Sequence, residues 1–313
     1  SLYNLGRAIG LKLLGAQKAV GYLTFTGEDG VEVPEGYLAE TTAGEQYITL
    51  QSGVITSGSV TLSATAVVPG PDGNTEKNTI TNIVNPMSGI EAVTNASAFE
   101  GGRNTETDAE FRERYYLSVD FAGGVNIDAI VAEIYESVEA VIAVAGEEND
   151  TDVQSESGLP PHSIEIIAYG GLDEDVAGAI FRRKAAGIQT YGNTSVSVVS
   201  SAGTTHKIKF SRPTPVNVWV KITGLKTDSV FPLDGIDRIK QNIVEYIGSN
   251  TRGGMAIGQD VICVTLPTEV LKVPGVVDFD LQISSNGSVF SRENITIAAR
   301  EKAVTDESKV TVE

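Results

Sequence analysis

The chain has 313 residues, 41% hydrophobic and 20% charged, ordinary values for a globular protein long enough for two or three domains. Its 41 acidic and 23 basic residues give a net charge of −18, a surface that repels phosphate backbones and anionic headgroups and so argues against nucleic-acid and membrane partners. No apolar run reaches the ~20 residues of a membrane span, and the single cysteine, Cys263 in the apolar "VICV", excludes an internal disulfide and reads as a buried thiol.

At the start, "LYNLGRAIGLKLLGAQKAV" places Leu2, Leu5, Ile9 and Leu13 at helical spacing. Lys12 interrupts the apolar core a secretory signal would need, so residues 1–18 read as the end of a helical segment. From 19 to about 90 the pattern is β. "GSVTLSATAVVPG" alternates Val60, Leu62, Ala64, Ala66 and Val68 with Thr61, Ser63 and Thr65, predicting a half-buried strand that stops at Pro69-Gly70. "AVGYLTFTGEDG" and "EQYITLQSG" read as further strands, and the frequent turn signals suggest a small sandwich or barrel-like domain.

From about 123 the period switches between helix and strand. "NIDAIVAEIYESV" puts Ile127, Ile130, Val131, Ile134 and Val138 on one stripe behind Asn126 as N-cap. Strand-like "AVIAVAG" and "SIEIIAYGG" follow. "LDEDVAGAIFRRKAAG" then carries acids first, bases last and Gly187 as its expected C-cap. "TSVSVVSS" and "HKIKFSR" are two more strands.

Beyond Pro213, "PVNVWVKITG" predicts one strand. "LDGIDRIKQNIVEYIG" predicts a helix capped by Asp234 with Ile236, Ile239, Ile243 and Ile247 inward, and "PGVVDFDLQIS" predicts a strand. The sum is an α+β chain: an N-terminal β-rich domain followed by two α+β domains with mainly antiparallel sheets. The divisions are 1–18 helical segment, 19–122 β-rich domain ending in a capped helix, 123–212 α+β domain, and 213–313 C-terminal α+β domain.

Reaction chemistry finds little support. His162 and His206 are far apart and only one cysteine exists, so zinc-type spacing is absent and no metal or cofactor is expected. The acidic run 146–156, "GEENDTDVQSE", lacks the glycine and terminal glutamate of an EF-hand loop and reads as a solvated loop. No G-x-S-x-G elbow or phosphate-cradling loop with its lysine occurs. Trp219 reads as packing.

The densest charged stretch is 99–116, "FEGGRNTETDAEFRERYY". As an acid–base site it would need two carboxylates across a cleft, one in an apolar setting; here the acids are polar-flanked neighbours. As scaffold it uses more of its residues. Gly101 and Gly102 make a sharp turn, Thr107 and Glu110 form a capping box with Asp108 in the first turn, and Phe111 and Tyr115 face a core. Arg112 and Arg114 then pair back to Glu106 or Asp108, or reach a partner chain. Gly101, Gly102, Glu106, Thr107, Glu110, Arg112 and Arg114 are thus the candidate structural and interface residues.

The ordered elements from 73 to 114 resemble the signature of baseplate J-like proteins of contractile-tailed bacteriophages. They are Gly73-Asn74, the strand 80–83, Gly89-Ile90 with Val93 and Asn95, Gly101-Gly102, Glu106-Thr107, and Arg112 with Arg114. "AVGYLTFTGEDGVEVPEGYLAET" upstream and "KVPGVVDFDLQIS" downstream are similar to further segments of that family. The resemblance implies a non-enzymatic structural protein of the tail baseplate. It implies contacts with other wedge and hub proteins and with copies of itself, a place in the virion after synthesis in the host cytoplasm, and a part in transmitting the contraction signal. The residues alone leave open a surface-exposed binding module or adhesin, and less readily a cell-wall polymer hydrolase built on Glu106 and Glu110.

Overall fold

The computed structural model describes residues 13, 15–107, 111, 126–250 and 253–313. The expected N-terminal helical segment, apart from its last residues, lies outside them, as do Asp108, Glu110, Arg112, Arg114 and Tyr115.

The first region is β1 (Val20–Gly27), β2 (Glu32–Val33), β3 (Leu38–Thr41), β4 (Gln46–Thr49), β5 (Gly53–Val54), β6 (Ser59–Ala66), β7 (Ile80–Ile83) and β8 (Ile90–Thr94). Six of them form one antiparallel sheet in the order β7-β3-β4-β6-β1-β8, and its two outer strands approach each other, so the sheet curls toward a barrel. Leu23, Phe25, Tyr47, Leu62 and Phe99 fill it, with Tyr47 and Phe99 edge to face at 4.7 Å between centroids. The half-buried reading of β6 is corrected by the second region, which packs on its outer face through Val20 and Tyr22. Ser63 and Thr65 are buried as well, Thr65 Oγ1 donating to the Ala19 carbonyl at 3.1 Å, while Val68 falls beyond the strand and is 65% exposed.

The second region is α1 (Ile127–Ser137), β9 (Val141–Asn149), β10 (Ser163–Gly170), α2 (Asp173–Arg183), β11 (Gln189–Tyr191), β12 (Thr194–Val199) and β13 (Thr205–Phe210). Asn126 caps α1 as its sequence predicts, its Oδ1 accepting from the Ala129 N–H at 3.0 Å. β9 and β10 pair antiparallel and β11 joins β10 parallel. The antiparallel hairpin β12–β13 is tied to β10 by reciprocal backbone bonds of Ser211 with Ile166 and Ala168. Ile130, Ile134, Ile166, Val176, Ile180 and Phe210 pack between helices and strands. Gly187 is not the cap of α2: the helix closes at Lys184, whose N–H donates to the Ile180 carbonyl, and Gly187 serves the next turn at φ +86°.

The third region is β14 (Thr214–Asn217), β15 (Trp219–Thr227), α3 (Gly235–Ile247), α4 (Pro267–Leu271), β16 (Val276–Ser284), β17 (Glu301–Val304) and β18 (Val310–Val312). The strand expected over 215–224 is two. β14 pairs parallel with β17, while β15 turns away to lie between β16 and β18. Val218, Val220, Ile239, Ile243, Ile247 and Leu281 form its core. Two details of α3 differ from expectation. Asp234 makes no cap bond because its carboxylate pairs with Arg238 at 2.9 Å, and Ile236, in the first turn, is 43% exposed. The fold class is therefore mixed α+β with mostly antiparallel sheets; β10–β11, β14–β17 and β15–β18 are parallel.

Candidate functional site

The residue types that carry chemistry are dispersed. His162 pairs with Asp152 at 2.8 Å on the surface, and His206 lies 4.9 Å from the Phe181 ring on the β13 side of α2. Cys263 is buried, and burial pushes its thiol up. Among the described residues no three His, Cys, Asp or Glu side chains converge as metal ligands, and no helix is long and apolar enough to cross a membrane. The acidic run is ordered by buried Asn149, whose amide donates to the carbonyls of Val153, Leu159 and Pro160 while its oxygen accepts from Thr151. That leaves Glu148, Asp150, Asp152 and Glu156 facing water.

The residues that do converge form a joint between barrel and body. Asn74 holds Gly102 from both sides, accepting its N–H at 2.9 Å and donating to its carbonyl at 2.8 Å. This fixes Gly101 at φ +82°, against Ala140 of the α1–β9 turn. A Cβ at Gly101 would stand 2.2 Å from the Ala140 Cβ, and one at Gly102 would stand 2.4 Å from the Gly70 carbonyl oxygen. Ala140 is itself left-handed at φ +62°, and its carbonyl abuts Gly170, where a Cβ would come within 2.3 Å. The 138–140 turn is thus seated between glycines of two regions. Gln17 Oε1 accepts the Ala140 N–H at 3.2 Å, and Val20, Ala140 and Leu172 form a small apolar contact beside it. Tyr22 adds a polar tie: its hydroxyl donates to Glu174 and accepts the Asp173 N–H, both at 3.2 Å. Burial, then the charges of Asp173 and Glu174, push its phenol well up, against the lowering effect of the Asp173 N–H.

Glu100 lies at the edge of this joint. Its backbone is bonded to Val20 both ways, and its carboxyl is pushed up to about 7 by burial and by Glu76, against the pull of Arg212. Arg212 is already committed, to the carbonyls of Ala168, Gly170 and Gly171 and to Asp173 at 2.7 Å. Tyr169, also raised by burial and by Glu100, donates its hydroxyl to Asn250 at 2.7 Å and so links toward the third region.

A second joint rests on Glu165 of β10, 1% exposed. Arg300 meets it in fork geometry at 2.8 and 2.6 Å and reaches the Ser157 carbonyl at 3.0 Å, while Ser211 Oγ donates to the same carboxylate. Lys302, fully buried, directs its ammonium at the carbonyls of Ala303 (3.1 Å) and Ile247 (3.4 Å) at the end of α3, and burial lowers it to about 8.

Of the residues singled out in the sequence, Gly101 and Gly102 form the turn of the first joint. Glu106 is 7% exposed, and buried Phe111 donates its N–H to the Thr107 carbonyl at 2.9 Å. Glu110, Arg112 and Arg114 lie outside the described residues. Two asparagines of the motif prove to be fasteners. Asn95, fully buried, accepts from the Thr79 and Ile80 N–H groups and donates to the Glu76 and Ser97 carbonyls, so every polar site it has is used. Ala140, Glu165, Arg212 and Arg300 carry no local signal, since their partners are distant in the chain.

The fold and these joints define a class first: a small antiparallel barrel seated on an α+β body through glycine-lined turns. Residues 22–102 match the family model described as the baseplate J-like protein barrel domain. Among solved structures the chain is similar, at 12% identity and a TM-score of 0.35, to a chain in the cryo-EM structure of the anti-feeding prophage (AFP) baseplate, 6-fold symmetrised. That overlay covers 97% of this chain and 80% of the other and is too loose to transfer positions or contacts. No curated protein matches the chain.

Proposed function

We propose that this protein is a non-enzymatic structural component of a contractile-tail baseplate. In this reading it sits in the inner wedge of the virion tail, binds other wedge and hub proteins and copies of itself, and helps pass on the contraction signal. The observation that carries the reading is the baseplate J-like barrel over 22–102. The use of Tyr22, Glu165, Arg212 and Arg300 to tie segments remote in the chain supports it. The divisions at 18, 122 and 212 belong to the same proposal, with the joints at Gly101–Ala140 and Glu165–Arg300 as the contacts through which displacement of one unit moves the next. Arg112 and Arg114 are proposed as partner contacts.

Mass spectrometry of purified tail particles tests this reading. The chain is expected in stoichiometric amounts in baseplate fractions, and its absence there would overturn the proposal.

A further inference from the structure

Eight of the 23 basic residues and none of the 41 acidic ones fall between Val176 and Thr227. Five of the eight are answered by acids from outside that stretch: Arg182 and Arg183 by Glu133, Arg212 by Asp173, Lys221 by Glu313 and Lys226 by Asp278. The other three, Lys184, Lys207 and Lys209, meet no carboxylate among the described residues. All three line one open cleft of about 270 Å³ between β11 and β13, with Ile188 and Ile208 beside them and no acidic residue in its walls.

The local structure explains why the cleft opens there. The Lys209 N–H is taken by the Thr190 hydroxyl at 2.9 Å, where a backbone ladder would have joined β13 to β11, so the strands part. Lys207 and Lys209 alternate with buried Ile208 and Phe210 and so share the exposed face of β13. Their cross-strand neighbours are Ser197 and Ser195, neutral at both positions. Lys184 brings its ammonium to the mouth by donating to the Ile188 carbonyl at 3.1 Å.

We propose that this cleft is a docking site for an extended, acidic segment of a partner protein, whose alternate carboxylates pair with Lys207 and Lys209. Alternate residues of a strand stand roughly 6.5–7 Å apart, so two carboxylates at i and i+2 of an extended peptide match the two ammonium groups. A nucleic acid carries the same charge but must approach a chain of net charge −18. Part-exposed Ile188 receives the residue between the two acids.

The test is fluorescence anisotropy of a labelled Glu-Val-Glu-Val-Glu peptide with the full chain at low salt. Binding is expected to weaken at least tenfold in Lys207→Gln/Lys209→Gln, with each single variant giving part of that loss, and to fall steeply with added salt. Lys77→Gln, at an exposed lysine of the barrel, is expected to bind as wild type. Absence of binding by the wild-type chain, equal loss in Lys77→Gln, or displacement by an equal concentration of inorganic phosphate would overturn the proposal. Matching thermal melts of the variants separate lost binding from lost fold.

Discussion

At the residue scale, Gly101 and Glu100 set the joint's behaviour. Gly101→Val would impose a β-branched side chain at φ +82° and drive it into Ala140. The backbone strain costs of order 1–3 kcal/mol and the overpacking adds a similar amount. Urea denaturation should show the midpoint falling sharply, and an unchanged midpoint would mean that the barrel does not depend on this turn. Glu100 makes a pH-dependent contribution with a definite sign. Its folded pKa of about 7 lies above the ordinary glutamate value of 4.5, so the folded state holds the extra proton between those values. Stability contributed here is present at low pH and is lost as pH rises from about 4.5 through 7. Glu100→Gln should flatten the denaturation midpoint across that window, and a profile identical to wild type would remove Glu100 from the account.

At the element scale, the helix ends can be compared directly. Asn126 bonds the Ala129 N–H, whereas Asp234 bonds only Arg238. Asn126→Ala should therefore cost about 1 kcal/mol, within a range of roughly 0.5–2. Asp234→Ala loses only an exposed ion pair, worth roughly 0–1 kcal/mol. Thermal melts of the two variants check the ordering, which equal losses would contradict. The same pair shows how far sequence reads at this scale. The residue type permitted a cap at both positions, and the periodicity placed both helices. What decided each cap was where the carboxylate or amide found its best partner. Strand reading met the same limit. Alternation located β6, but Ser63 and Thr65 on its polar face are buried too, because they lie opposite Tyr22 and Val20, which pack against Ala140 and Leu172 of the second region. One apolar run over 215–224 became two strands because β14 pairs with β17, more than 80 residues on.

At the scale of the whole molecule, Glu165 and Arg300 hold the second and third regions together. Arg300→Ala would leave a carboxylate that is 1% exposed with only Ser211 Oγ beside it, at a cost of about 3 kcal/mol or more. Hydrogen exchange should rise in β17 and β14 before it rises in the barrel, and uniform loss of protection would argue against a local clamp. Arg300→Lys should recover only part of the loss, because an ammonium cannot reproduce the fork that meets both carboxylate oxygens.

The absence of an internal disulfide, the alternation and helical periods, the Asn126 cap, the glycine turn at 101–102 and the barrel motif are all legible in the order of residues. Each is a property of neighbouring residues, whose spacing sets which face a side chain takes and which conformations its backbone permits. The tertiary structure alone decided that Gly101 meets Ala140, that Glu165 meets Arg300 135 positions later, and that three lysines without carboxylates share one cleft. Those outcomes depend on contacts between segments remote in the chain, where desolvation and shape select the partner and residue type only makes it eligible.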